Sequence, residues 1–256
     1  MRQAEIAIIG GTGLYQLEGL EEVERCTIKT RWGSPSSEII FLQYSGGEQN
    51  HPATVAFIAR HGLEHNIPPH QINYRANLWA LKACGVKRVI AVAAVGGITE
   101  KMLPQAIVIP DQILDYTYGR KQTYFDEGSE TVTHIDFTWP YTSQLRKQLL
   151  AVACEQSVDV VDGGVYAATQ GPRLETAAEI SRLERDGADI VGMTGMPEAS
   201  LARELQMQYA CCALVVNWAA GCAGTVEISH DGMQAAVEQG MQQVKSLLVS
   251  TLARTA

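Results

Sequence analysis

The sequence has no apolar run long enough to span a membrane, no CxxC pair, no Cys/His cluster at metal-ligand spacing, no GxGxxG, and no internal repeat. Each absence closes off a class of protein. The run Ala4 to Ile9, with an acid inside it, is too short for a signal-peptide core or a membrane span, so neither export nor membrane insertion is expected. The six cysteines (26, 84, 154, 211, 212, 222) lie largely in apolar stretches, where a reduced thiol packs as a small hydrophobe; a reducing cytoplasm and no metal site are expected. A net charge of −8 opposes a broad nucleic-acid surface, so an anionic ligand would need a local pocket. No Pro/Ser-rich linker or charge block divides the 256 residues, and one domain over 1–256 is expected.

Short apolar runs fill the space those absences leave. Glu5 to Ile9, Thr54 to Ala59, Val89 to Val95, Ala106 to Ile109, Val160 to Ala168, Asp189 to Met193 and Tyr209 to Val216 each read as a strand buried on both faces. Helical spacing predicts helices over Gln71 to Cys84, Thr142 to Glu155 and Glu175 to Arg185. A last helix carries Met233, Val237, Met241, Val244 and Leu248 on one face, with Asp231 placed to cap its start. Pro197 and Glu198 read as the first turn of a helix beginning just after Thr194. Such alternation predicts α/β layering. Only Thr117 to Tyr141, long, polar and aromatic, shows no period, as suits a lid, a binding loop or the cover of a neighbour.

Four strand ends carry groups able to hold an anion. In "IIGGTGLY" (8–15), glycines let backbone N–H groups and the Thr12 hydroxyl approach closely, although the stretch fits a plain tight turn as well. Arg60 and His61 in "ARHG" offer a bidentate guanidinium and a second donor, or a surface ion pair. "VAAVGG" (92–97) runs through Ala93 and Ala94 into glycines, and also reads as a buried strand and turn. "GMTGMPEA" (192–199) offers Met193 as an apolar wall and Thr194 as a hydroxyl, or a core methionine and a turn threonine. Convergence is what favours a site, because ligands of open α/β sheets bind outside the carboxyl ends of strands. Glu175, after a Gly-Pro turn, is a solvated helix-start residue unless an N–H faces it.

Together with "RWGSPS" (31–36), "HQINYRANLWALKACG" (70–85), "YFDEG" (124–128), "HIDF" (134–137) and "QGPRLET" (170–176), these stretches resemble the trimeric purine nucleoside phosphorylase superfamily, in its methylthioadenosine phosphorylase branch. The resemblance covers nearly the whole chain. It implies a single-domain nucleoside phosphorylase fold, a mixed β-sheet with a distorted barrel flanked by helices. It implies a homotrimer and a pentosyl transfer that cleaves a purine nucleoside with inorganic phosphate as co-substrate, without metal or other cofactor, nucleic acid or membrane. Carried over by position, the phosphate site is Thr12, Arg60, His61, the Ala93–Ala94 backbone and Thr194. At Ala93 the family often has Thr or Asn, so one side-chain contact is missing. Met193 falls beneath the ribose, and His134 matches a histidine that reaches into the neighbouring subunit's site.

The base side departs from the adenine-cleaving pattern. Those enzymes carry aspartate where this chain has Asn217, and a second two residues on, where it has Ala219; Asn217, Trp218 and Ala219 are expected to bind the substrate. An amide donates to a 6-oxo group and accepts from N7–H. Glu175 stands where the resemblance places an acceptor for N1–H, which hypoxanthine has and adenine lacks. The catalytic set is then Asn217, Glu175 and His61, and the expected substrate is a 6-oxopurine nucleoside. At the 5′ end His230 matches a ligand of a 5′-hydroxyl while Met233 stays apolar; S-methyl-5′-thioinosine is placed ahead of inosine or guanosine, and methylthioadenosine behind them. The rival classes are a hydrolytic nucleosidase, which needs no phosphate cradle, a dinucleotide-binding oxidoreductase, which "GGTG" alone supports, and a non-catalytic nucleoside-binding scaffold.

Overall fold

The computed structural model describes residues 2–255 apart from Tyr15, Gln16, Glu18, residues 45–52 and residues 127–130. The last residue of "IIGGTGLY" and the Glu127–Gly128 end of "YFDEG" therefore lie outside the described residues.

The Val/Ile/Ala-rich runs form the middle of one mixed sheet. β1 (Ile6–Gly10) lies between β4 (Ala53–Ala59) and β5 (Arg88–Gly97), parallel to both, and every residue of β1 is buried. β11 (Gln208–Trp218) runs parallel to β5 along its length. On β11 follow β6 (Ile107–Ile109), antiparallel, and then β8 (Val160–Asp162). β10 (Ile190–Gly192) meets the far end of β5 antiparallel, and leads to β9 (Val165–Ala168) and β7 (Gln112–Asp115). β5 is thus the fork of the sheet, pairing with β1, β10 and β11.

β2 (Leu20–Cys26) and β3 (Ile39–Tyr44) extend the other edge as antiparallel strands that the sequence reading did not contain; β2 is charged and half-exposed, as an edge strand should be. The single strand expected over Val160 to Ala168 is two. Gly163 and Gly164 turn the chain between them, and β8 is not buried on both faces, since Asp162 is exposed. β7 was missed because its residues are only half-buried and show no apolar run.

Helices α1 (Tyr74–Ala83), α2 (Ser143–Glu155), α3 (Ala177–Arg185), α4 (Gly195–Glu204) and α5 (His230–Thr255) cover the sheet. Asn73 caps α1 by accepting from the Ala76 N–H, and Thr176 with Glu179 forms a capping box on α3. On α5, Val237, Met241, Val244 and Leu248 are buried as the spacing predicts, but Asp231 lies inside the first turn. The cap is Ser229, whose hydroxyl accepts from the Gly232 N–H at 3.1 Å. "RWGSPS" docks on α1 through two asparagines: Asn73 donates to the Trp32 carbonyl at 2.7 Å, and Asn77 accepts from the Ser36 N–H at 2.7 Å. The described parts of 117–141 form neither helix nor strand, yet Arg120, Tyr124 and Tyr141 are buried. Among the described residues no helix is long and apolar enough to cross a membrane.

Candidate active site

β1 leaves β5 after Ala91 and β10 joins it only at Gly96, so the intervening edge of β5, Val92 to Val95, has no strand on that side. There a cavity of about 620 Å³ opens. Thr12, Arg60, His61, Ala93, Ala94, Met193, Thr194, Glu175, Asn217, Ala219, His230 and Met233 all line it. Trp218 does not, and His134 is exposed away from it. The placement differs from the sequence expectation in one respect. β10 runs antiparallel to β5, and Ala93–Ala94 lie in mid-strand, so the site is a gap within the sheet flanked by the ends of β1, β4 and β11.

Gly11 shows how close the first turn comes. A Cβ on it would lie 2.5 Å from the Val92 carbonyl oxygen and 3.2 Å from Nη1 of Arg60. The Val92 carbonyl faces the gap, where it accepts from Arg60 Nη1 at 3.0 Å. Strand alternation then turns the amide of Ala94 to the same side.

Arg60 and Glu198 are each 1% exposed. Nε and Nη2 of Arg60 donate to the two carboxylate oxygens of Glu198 at 2.7 and 2.8 Å, and the Tyr209 hydroxyl donates to the same carboxylate at 2.8 Å. Burial alone would lower the arginine's pKa; the carboxylate outweighs it and pushes it up. The expected bidentate grip on phosphate is therefore taken by Glu198. Of the five N–H donors of a guanidinium, three are used by Glu198 and Val92, and two remain. Glu198 was expected only as a first-turn residue. Met196 and Pro197 lie outside helical geometry, so regular α4 begins beyond them and delivers the carboxylate inward. An acid four residues past Thr194, beside a sequence-predicted arginine site, was the signal available.

His61 also differs from expectation. Burial, then the charge of Arg60, lowers its pKa to about 4, so the ring is neutral near pH 7. Its Nδ1 lies 2.9 Å from the Ile67 carbonyl. A carbonyl only accepts, so Nδ1 carries the proton and Nε2 offers a lone pair. His61 can thus accept from an anion's own O–H group; it is not a ready second donor.

On the base side a bulge does the aiming. β11 slips against β5 between Val215 and Asn217, which sets Asn217 opposite Gly96. Simple alternation would point Val216 and Asn217 to opposite faces; with the slip both line the cavity. The amide donates to the Trp218 carbonyl at 2.7 Å, which leaves its oxygen and one N–H for a ligand. The Glu175 carboxylate is held by the Thr169 hydroxyl, which donates to it at 2.6 Å. Half-buried Met233 and exposed His230 close the far end from the start of α5. The sequence reading also missed the 65–69 segment, which contributes His65, Ile67, Pro68 and Pro69 to the wall.

The family and relatives that this chain matches make it a nucleoside phosphorylase, a pentosyltransferase. The phosphorylase superfamily matches residues 5–253, and the chain belongs to it. It is 53% identical over 246 residues to a probable S-methyl-5′-thioinosine phosphorylase of Pseudomonas syringae pv. tomato, covering 96% of this chain and 97% of that protein. It is 42% identical over 253 residues to the 6-oxopurine nucleoside phosphorylase of Pyrococcus furiosus, covering 96% and 91%. The crystal structure of a methylthioadenosine phosphorylase from an antarctic soil metagenomic library superposes with a TM-score of 0.90 at 34% identity, over 99% of this chain and 86% of that one.

Glu198→Gln leaves a buried guanidinium without its countercharge, and denaturant unfolding should show a loss of about 3–5 kcal/mol. Unchanged stability would refute the pairing. Because the folded state holds His61 neutral while the unfolded chain protonates it at its ordinary pKa, unfolding takes up a proton between about pH 6.5 and about pH 4. Stability should fall as pH drops through that window. Melting curves of His61→Gln should show a shallower loss over the same range.

Proposed function

We propose that the protein cleaves the N-glycosidic bond of a 6-oxopurine nucleoside with inorganic phosphate, first of all S-methyl-5′-thioinosine, giving hypoxanthine and 5-methylthioribose 1-phosphate. The observation that carries this reading is the pair Asn217 and Glu175 on the wall of the same cavity as Arg60 and Thr194. The amide donates to O6, and its oxygen accepts from N7–H once a proton from solvent water joins N7 as the glycosidic bond breaks; the carboxylate accepts from N1–H. Adenine presents the opposite pattern at both positions.

Phosphate sits against the two remaining Arg60 N–H groups, the Thr12 and Thr194 hydroxyls and the Ala94 amide, with its own O–H directed to His61. Ala93 contributes backbone alone. The displacement is dissociative: the bond to the base breaks first, the ribosyl carbon gains oxocarbenium character over Met193, and phosphate then captures it. The glycosidic electron pair leaves with the base, where the Asn217 N–H at O6 and the proton at N7 stabilise it, while Glu175 fixes the base through N1–H. Phosphate is the second substrate, and no step calls on a metal or another cofactor. Met233 receives the methylthio group, and His230, exposed at the rim, does not bind it. The names borne by relatives near half identity support the methylthio nucleoside.

The working unit is a homotrimer in the cytoplasm, in which His134 of each subunit reaches the next subunit's cavity. In support, His134 stands clear of its own cavity, on a loop that also exposes Tyr118, Val132 and Trp139.

Initial rates with methylthioinosine, inosine, guanosine and methylthioadenosine, each with and without phosphate, test the reading. Turnover should require phosphate and favour methylthioinosine; turnover without phosphate refutes it. Asn217→Asp should cut kcat/KM for methylthioinosine by about 10- to 1000-fold, and that for methylthioadenosine far less. Light scattering should give three times the 27.8 kDa chain mass, and His134→Ala should raise KM for the nucleoside without dissociating the trimer.

A further inference from the structure

Arg120 lies in the aperiodic stretch after β7, lines no part of the cavity, and is nearly buried. Its guanidinium spends its donors almost wholly on backbone. Nη1 donates to the carbonyls of Met193 at 2.8 Å and Met196 at 2.6 Å; Nη2 donates to those of Thr169 at 3.1 Å and Gln170 at 2.8 Å. Nε donates to the Gln170 side-chain carbonyl at 3.1 Å.

Those carbonyls belong to two different loops. Thr169 and Gln170 begin the segment that carries Glu175, and the Thr169 hydroxyl is what holds the Glu175 carboxylate. Met193 and Met196 flank Thr194 and precede Glu198, the partner of Arg60. The loops also interlock: Gly171 has φ +60, and a Cβ there would lie 2.4 Å from Sδ of Met193. A run of hydrogen bonds and short backbone links therefore joins Glu175, Thr169, Arg120, Met196, Glu198 and Arg60.

We infer that Arg120 is a positioning residue that couples the two halves of the cavity, so that an anion at Arg60 and Thr194 tightens the hold on a base at Asn217 and Glu175, and the base tightens the hold on the anion. The inference rests on the phosphorolysis reading, which puts phosphate and base at those ends. One guanidinium fixes both loops, so ordering either loop by a ligand lowers the entropy that the other ligand must remove. Coupling of this kind is reciprocal. Lysine keeps the charge but lacks the fork needed to reach four carbonyls on two loops.

Calorimetry on the wild-type protein measures hypoxanthine binding with and without saturating phosphate, and phosphate binding with and without hypoxanthine. Each ligand should strengthen the other by the same factor, about 5- to 100-fold. In Arg120→Lys both should still bind, with the factor reduced to within twofold of one. A purely structural role for Arg120 would lower the melting temperature and leave the factor unchanged, and that result overturns the inference, as does a wild-type factor of one. Hydrogen exchange on the wild-type protein gives the same answer without a variant: phosphate alone should slow the amides of 169–176, and protection confined to 11–13, 60–62 and 194 refutes the coupling. Failure of the wild-type protein to bind phosphate at all overturns the phosphorolysis reading itself.

Discussion

The Arg60 guanidinium is almost wholly withdrawn from water, where an unpaired charge would cost several kcal/mol even after the surroundings relax. Glu198 meets it with both carboxylate oxygens, the Val92 carbonyl accepts a third N–H, and the Tyr209 hydroxyl donates to Glu198, while two N–H groups of the guanidinium remain. Four elements are thereby fixed to one point: the end of β4, the start of regular α4, the beginning of β11 and the middle of β5. Thr194 sits four residues before Glu198, and Val92 sits two before Ala94, so the same pair that satisfies the charge also sets the positions of the other anion-facing groups.

The pair has a chemical corollary. With Glu198 balancing Arg60 and His61 held neutral, the side of the cavity proposed for phosphate is rich in N–H and O–H donors and poor in net charge. An anion there is held by oriented dipoles, which stabilise it without neutralising it. That suits a displacement in which phosphate must keep its negative charge to stabilise, and then capture, a cation-like sugar.

Much of this was legible in the sequence, and the losses have physical causes. Buried strands announce themselves because two covered faces demand unbroken apolar runs, and β1, β5 and β11 were read within a residue or two of their ends. β2 and β7 left no such trace, because edge and half-exposed strands satisfy themselves with polar residues. Thr12, Arg60, Thr194 and Asn217, read from their places at strand ends and from the family resemblance, line one cavity. Glu198 and Arg120 were not read as site residues. The Arg60 partner of Glu198 lies 138 residues away in the chain and those of Arg120 at least 46, and a charge near a site motif does not by itself separate a buried, committed group from a solvated one. His61 lines the cavity, but the sequence could not show that its ring offers an acceptor rather than a second donor, since its tautomer depends on the Ile67 carbonyl.

On the proposed reading, selectivity for the base would depend on two groups from separate loops, and this raises the demand on the scaffold. Asn217 is rigid by construction: it ends a long strand paired with β5 on one side, and a bulge defines its direction. Glu175 has no such support, because it precedes α3 on an irregular segment and is anchored by a single hydroxyl at Thr169. A misplaced acceptor at N1 would discriminate poorly between a 6-oxo and a 6-amino purine, since the penalty for an unpaired buried acceptor, about 1–3 kcal/mol, applies only if the group cannot swing away. The backbone clamp by Arg120 on Thr169 and Gln170 supplies the stiffness that strand pairing supplies to Asn217. Because the same guanidinium also holds the loop that carries Thr194, recognition of a base and seating of an anion would, on the proposed reading, share one support.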